Sequence, residues 1–222
     1  MKLAEHFHSI QGEGYWVGTP MHFIRTAGCS VGRLLSANPQ LSTGARAWTC
    51  KAFDGQTFLC DTDFNRYCEM SVDQLVADTY EKHVCLTGGE PLMKHNHPEI
   101  IELCAQLGEL RRRLHIETSG TECIPLPVAV NSWITVAPKV GYLPGVLYAA
   151  DEVKLLVNSS TTEDTISEII SKLGPDSLVF LSPINGEKEI SDASLQRALE
   201  LLKKFPQRLQ LSVQLHKYLG VR

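Results

Sequence analysis

Short apolar runs alternate with amphipathic stretches along the chain, the order expected of parallel strands joined by crossover helices. MHFIRTA (Met21 to Ala27), HVCLT (83–87), LHIET (114–118), WITVA (133–137), VKLLV (153–157), SLVFL (177–181) and RLQLSV (208–213) read as strands. Between them, Ser71 and Gln74 form a capping-box pattern that opens a helix running to about Lys82. Pro98 suits the first position of a helix ending at Leu107. Thr161 or Thr162 caps a helix that stops at Gly174, and another runs from about Ser191 to Lys204. Residues 28–70 break the rhythm, being glycine-dotted and mostly aperiodic. A loop that long in a compact domain generally has a function or holds a ligand. No internal repeat or composition shift marks a linker, so residues 1–222 are expected to form a single α/β domain of six or seven mostly parallel strands.

Each strand runs into a polar or glycine-rich end: Gly28-Cys29, then Thr87-Gly88-Gly89-Glu90-Pro91, Glu117-Thr118-Ser119-Gly120, Pro138-Lys139, Asn158, Ser182-Pro183, and lastly Gln214 with His216. In parallel β/α folds the C-terminal strand ends line one mouth, where ligands gather. A single polar strand end can be explained by solvation alone; a full set facing one mouth marks that mouth as the candidate site.

A formal net charge of −4 excludes a strongly basic chain built to coat nucleic acid. No apolar run approaches the roughly 18 residues of a membrane span. MKLAEHFHSI lacks the apolar stretch of a signal peptide, so a cytoplasmic protein is expected. Disulfides are not expected in that reducing compartment, which leaves seven cysteines to explain. Cys85 and Cys104 fall inside apolar patterns and read as core, and Cys123, just before IPLP, reads the same way. Cys29, Cys50, Cys60 and Cys68 lie in glycine-rich or polar segments and are candidate metal or cluster ligands.

Three cysteines in the long loop, with TGGEP after the second strand, resemble the radical S-adenosylmethionine superfamily. There three cysteines hold a 4Fe–4S cluster, and its open iron chelates the amine and carboxylate of the cofactor. FHSIQGEG (7–14), FIRTAGC (23–29), CDTDF (60–64), TGGEP (87–91), IETSG (116–120) and LSVQLHKYLGVR (211–222) together resemble the 7-carboxy-7-deazaguanine synthase family, in order from end to end.

The resemblance implies a partial β/α TIM-like barrel, acting as a homodimer. It implies ring contraction of 6-carboxy-5,6,7,8-tetrahydropterin to 7-carboxy-7-deazaguanine with loss of ammonia, in 7-deazapurine (queuosine) biosynthesis. The cluster would be reduced by a donor such as a flavodoxin-like protein, and the radical made from the cofactor would take hydrogen from C6 of the pterin. No side-chain nucleophile is expected, because the cofactors carry the chemistry.

Carried onto this chain, Ile10, Gln11, Gly12, Glu13, Arg25 and Thr87 are implied substrate contacts. Arg25 suits the substrate carboxylate, its alternative being a structural ion pair with Glu13 or Asp61. His216 and the terminal carboxylate of Arg222 are implied to close over the pterin from the C-terminal tail. Gly89, Glu117, Ala137, Pro138, Lys139 and Ser182 match positions that bind S-adenosylmethionine, with Glu117 suited to its ribose. Thr62 matches a magnesium ligand, a hard cation that takes oxygen donors. Cys29 and Cys60 match the first and third cluster ligands. Thr57, three residues before Cys60, is a poor iron ligand, so Cys50 is the remaining candidate and Cys68 its rival. The family often has serine at Ala137 and glutamine at Ser182, differences that bear on cofactor affinity. Two other readings compete: a radical-generating activase for a partner enzyme, and a zinc-stabilised binding module held by Cys29, Cys50, Cys60 and Cys68.

Overall fold

The computed structural model describes residues 1–34, 48–60, 67–185 and 189–221. The elements run β1 (Lys2–Ile10), β2 (Pro20–Thr26), β3 (Arg33–Leu34), β4 (Trp48–Lys51), β5 (Thr57–Cys60), β6 (Cys68–Glu69), α1 (Val72–Asp78), β7 (His83–Gly88), α2 (His97–Glu109), β8 (Arg113–Thr118), α3 (Leu126–Asn131), β9 (Ser132–Val136), α4 (Pro144–Tyr148), β10 (Glu152–Val157), α5 (Glu163–Ile170), β11 (Leu178–Pro183), α6 (Asp192–Lys204), β12 (Gln210–Leu211) and α7 (Leu215–Leu219).

One nine-stranded sheet has the order β12-β11-β10-β9-β8-β7-β2-β1-β6, and β3, β4 and β5 form a second small sheet. From β2 through β7 to β12 every described pairing is parallel, whereas β1 runs antiparallel to β2 and to β6. Among the described residues β12 and β6 remain as edges, which makes this a partial rather than a closed barrel. All seven expected parallel strands are present, though the last is cut to Gln210–Leu211.

Alternation along the strands gives the sheet two different faces. Ile24, Val84, Leu86, Leu114, Ile116, Ile134, Val136, Val153, Leu155 and Val157 point one way and join Ile100, Leu103, Leu107, Ile166, Ile169 and Leu201 from the helices in the main core. A fully buried side chain of this kind stabilises by about 1.5–3 kcal/mol. The opposite, inner face carries a smaller cluster of Met21, Phe23 and Cys85 with Phe7 and Trp16 against it. Above that cluster the inner face is polar.

Four differences from the sequence reading have physical causes. Residues 28–70 contain β3 to β6, strands too short to display a period of two. The first helix ends at Asp78 rather than near Lys82, because Thr79 turns extended and its hydroxyl donates back to the Leu75 carbonyl at 2.8 Å. The helix capped by Thr162 ends at Ile170, and turns carry the chain on towards Gly174. Cys123 is exposed, so its apolar neighbours do not make it core, whereas Cys85 and Cys104 are buried as expected.

Candidate active site

The connection from β1 to β2 crosses the inner face and fills it. Gln11 Nε2 donates to Glu117 Oε1 of β8 at 3.1 Å, and the Tyr15 amide donates to Glu152 Oε2 of β10 at 2.8 Å. The Gly14 amide donates to Ser212 Oγ, just past β12, at 2.9 Å. Lys154 Nζ reaches Glu13 Oε2 at 2.7 Å and Glu117 Oε1 at 3.0 Å, while Thr87 Oγ1 donates to Glu117 Oε2 at 3.0 Å. Three carboxylates therefore surround one buried ammonium. Burial pushes the Glu117 carboxyl up, but Lys154, Gln11 and Thr87 outweigh it and hold the pKa at about 2. Glu13 is lowered in the same way, its burial outweighed chiefly by Lys154. Lys154 is held well above its ordinary value, because the carboxylates overcome its burial. Glu152 lacks a direct ammonium contact of this kind, and burial raises its pKa to about 7.

Arg25, level with Thr87 across the β2–β7 pair, sits at the rim of this layer. Its Nε lies 3.0 Å from Glu5 Oε1 of β1. Its ion-pair partner is thus Glu5 and not Glu13, which is committed to Lys154; Asp61 lies outside the described residues.

The loops after the strands are stitched into one mouth. The Gly89 amide donates to Thr26 O and the Glu90 amide to Gly28 O, at 3.2 and 3.1 Å. Ala137 N donates to Thr118 O at 2.8 Å, and Lys139 N to Ser119 O at 3.1 Å. Gly88 has φ +116, and a Cβ there would run into the Thr26 backbone, so the turn after β7 needs glycine. Glu90 is completely buried, and its carboxylate accepts from Thr118 Oγ1 at 2.7 Å, from Ser119 N at 2.8 Å and from the Ser119 hydroxyl. That carboxylate ties TGGEP to IETSG. The sequence reading missed this residue; the signal was a lone acid between glycines and proline.

Across the mouth, Ser182 Oγ and both polar side-chain atoms of Asn185 are buried without a hydrogen-bond partner among the described residues. Such groups cost free energy unless a ligand satisfies them. Their place at the end of β11 suits the S-adenosylmethionine expected there.

The cysteines approach from the small sheet. Pairing sets Cys50 opposite Phe58 and Trp48 opposite Cys60, so Cys50, Phe58 and Cys60 share one face of the β4–β5 hairpin. That hairpin docks on the loop after β9 through an Ala52–Lys139 bridge and a 3.1 Å bond from Val140 N to Lys51 O. Lys139 Nζ lies 4.7 Å from the Phe58 ring centroid, within the electrostatic reach of both Cys50 and Cys60. Cys29, whose thiol burial pushes up in pKa, is within reach of Cys60 and Glu90, and accepts from Gly32 N at 3.3 Å. Cys68 is elsewhere, exposed on β6 and paired with Leu3 at the outer edge of the large sheet. Thiols from the hairpin and the β2 loop, gathered at a mouth with glycine turns and unsatisfied polar groups, fit a cluster with an organic ligand beside it. A cleft of about 670 Å³, lined by Ser30, Arg33, Cys50, Lys51, Thr121 and Val140 among others, opens beside them.

The expected substrate residues also come together. Ile10 to Glu13, Thr87 and Arg25 belong to or border the polar layer, and Leu215 N donates to Gly12 O at 2.9 Å. His216 abuts Gly12 so closely that any Cβ there would overlap its ring. Glu117, expected beside a ribose, has its carboxylate committed to Gln11, Thr87 and Lys154. Gly89 and Ala137 to Lys139 lie in the stitched mouth. Thr62 and Arg222 lie outside the described residues.

No protein-family model matches the chain. Curated relatives do. The 7-carboxy-7-deazaguanine synthase of Buchnera aphidicola subsp. Schizaphis graminum is 30% identical over 99% of this chain and 98% of its own. That of Synechocystis sp. is 32% identical, covering 99% of this chain and 93% of its own, and that of Escherichia coli K12 is 28% identical, covering 99% and 98%. The crystal structure of QueE from Escherichia coli matches the fold with a TM-score of 0.69 at 24% identity, over 97% of this chain and 94% of that one. The chain is therefore an enzyme of the radical S-adenosylmethionine class. Within that class it belongs to the 7-carboxy-7-deazaguanine synthase family.

Proposed function

We infer that this chain contracts the ring of 6-carboxy-5,6,7,8-tetrahydropterin to 7-carboxy-7-deazaguanine, with the pterin held on the inner polar layer and the cofactors at the mouth above it. The observation that supports this reading is the shared face of Cys50 and Cys60 on a hairpin bridged to Lys139, with Cys29 in the loop after β2 as their neighbour. Cys29, Cys50 and Cys60 would hold the 4Fe–4S cluster, and Gly89, Ala137 to Lys139 and Ser182 would line the S-adenosylmethionine site. Bound there, the two groups supply one-electron cleavage of the cofactor and a carbon radical able to remove hydrogen from the substrate.

The protein's own part is binding and orientation. Arg25 offers a guanidinium fork to the pterin carboxylate, and Thr87 and Gln11 offer neutral polar contacts. Glu117 and Glu13, kept ionised by Lys154, anchor that ammonium, and Glu117 also holds Gln11 and Thr87 in place. His216, lodged on Gly12, covers the layer from the tail, and the carboxylate of Arg222 would accept from the guanidine-like edge. A magnesium ion on Thr62 would take most of its ligands from substrate oxygens and water, as one hydroxyl is a weak donor set. The remaining parts of the reading are a flavodoxin-like electron donor, a homodimer and a cytoplasmic setting.

Anaerobic turnover with pterin, S-adenosylmethionine and reductant, monitored by mass spectrometry, tests the reaction. Iron and sulfide content tests the ligands: alanine at Cys29, Cys50 or Cys60 should abolish cluster assembly, and Cys68→Ala should leave it intact. A Cys50→Ala protein that keeps its iron beside a Cys68→Ala protein that loses it would overturn the assignment. Zinc in place of iron in the anaerobic protein would favour the binding-module reading instead.

A further inference from the structure

Three imidazoles lie side by side on the helix-facing surface of β1 and β2, at the end of the barrel opposite the mouth. His8 and His22 are direct cross-strand partners, and His6 is two residues away on the same face of β1. The connection from α1 to β7 lays Thr79, Tyr80 and Glu81 over them. His6 Nδ1 is 3.2 Å from His22 Nε2, and His8 Nδ1 is 2.7 Å from Glu81 Oε1. One ligand atom from each of His8, His22 and Glu81 lies within 4.8 Å of the other two. None of these residues takes part in the site described above.

The hydrogen bonding determines which nitrogen is free to bind. Thr79 Oγ1 donates its only proton to the Leu75 carbonyl, so towards His22 Nδ1, 2.7 Å away, it can only accept. His22 therefore carries its proton on Nδ1 and turns the lone pair of Nε2 towards His6 Nδ1, 3.2 Å away. Metal-bound histidines are held in this way, with the second ring nitrogen donating to an oxygen that fixes tautomer and orientation. His22 is wholly buried and stacked on His8 at 4.3 Å, with Tyr80 stacked on the other side of His8 at 4.4 Å.

We propose that His8, His22 and Glu81, with His6 beside them, form a binding site for a divalent metal of the zinc class. Two nitrogens on a tetrahedral zinc with bonds of about 2.0–2.1 Å stand roughly 3.3 Å apart, close to the His6–His22 spacing. Imidazole with one carboxylate suits zinc, cobalt or nickel and not magnesium or calcium, which prefer all-oxygen shells. The site has three protein ligands and a fourth position beside which His6 Nδ1 stands. It would staple the antiparallel first strand to β2 and to the turn before β7.

The test uses untagged, cluster-loaded protein under anaerobic conditions, with cobalt(II) as the probe. Expected are saturable uptake of a single ion per chain, the visible bands of tetrahedral cobalt without thiolate-to-metal charge transfer, and displacement by zinc. His8→Ala and Glu81→Gln, both remote from the mouth, should each weaken uptake roughly tenfold or more while keeping iron content and circular dichroism unchanged. Zinc should raise the melting temperature of the parent and not of the variants. Thiolate charge transfer would assign the ion to the cysteines, and undiminished uptake by both variants would place it elsewhere; either overturns the proposal. So does the absence of saturable uptake, which leaves the histidines as a hydrogen-bonded cluster only.

Discussion

At the scale of single residues, Glu152 is the odd member of a crowded set. Glu13 and Glu117 bond directly to Lys154, whereas Glu152 accepts the Tyr15 amide and has Gly14 pressed against its carboxylate. A carboxyl raised from 4.5 to about 7 by burial binds its proton more tightly folded than unfolded. Its linkage therefore removes stability as pH rises from about 4.5 to about 7 and changes nothing above that. Glu117 has the opposite sign: its stabilisation is present above its unfolded value and is lost as pH falls towards about 2. Glu152→Gln should thus flatten the fall in melting temperature between pH 5 and 7 and raise it at pH 8, as scanning calorimetry at fixed ionic strength would measure. Parallel profiles for variant and parent would assign the slope to another group.

The elements show what a sequence can and cannot reveal. Seven parallel strands were legible because each is a short apolar run with a polar end, and so was the mouth those ends define. The first strand was not, since β1 carries His6 and His8 where a buried face would carry aliphatics. The hairpin was hidden as well: nine residues separate Cys50 from Cys60, and only the register shows that they share a face. TGGEP was legible as a motif, but not the partner that its first glycine packs against. That partner is the Thr26 backbone, met by Gly88 at φ +116. Gly88→Ala should cost on the order of 1–3 kcal/mol from backbone strain, with further loss from the overlap. A melting temperature lower by several degrees, with weaker S-adenosylmethionine binding by equilibrium dialysis, is the expected result; an unchanged temperature would show that the turn relaxes freely.

Over the whole molecule, the first loop and the last helix meet on the inner layer. Leu215 N bonds to Gly12 O, and His216 fills the space that Gly12 leaves. If the end of the chain closes over the pterin, a C-terminal tag should raise the Michaelis constant for the pterin by roughly ten- to a hundredfold, the worth of a charge-assisted bond in a desolvated pocket. Arg222→Ala, which retains the terminal carboxylate, should leave that constant alone, and steady-state kinetics on the two proteins separate the cases. The buried strut of Glu90 has a consequence of a different kind. It ties the turn that carries Thr87 and Gly89, of the proposed substrate and cofactor sites, to Thr118 and Ser119. In the proposed arrangement both ligands rest on this one clamp. Whatever factor bound S-adenosylmethionine adds to the affinity for the pterin, the pterin must return to S-adenosylmethionine in full, because the coupling free energy belongs to the pair and not to either order of arrival.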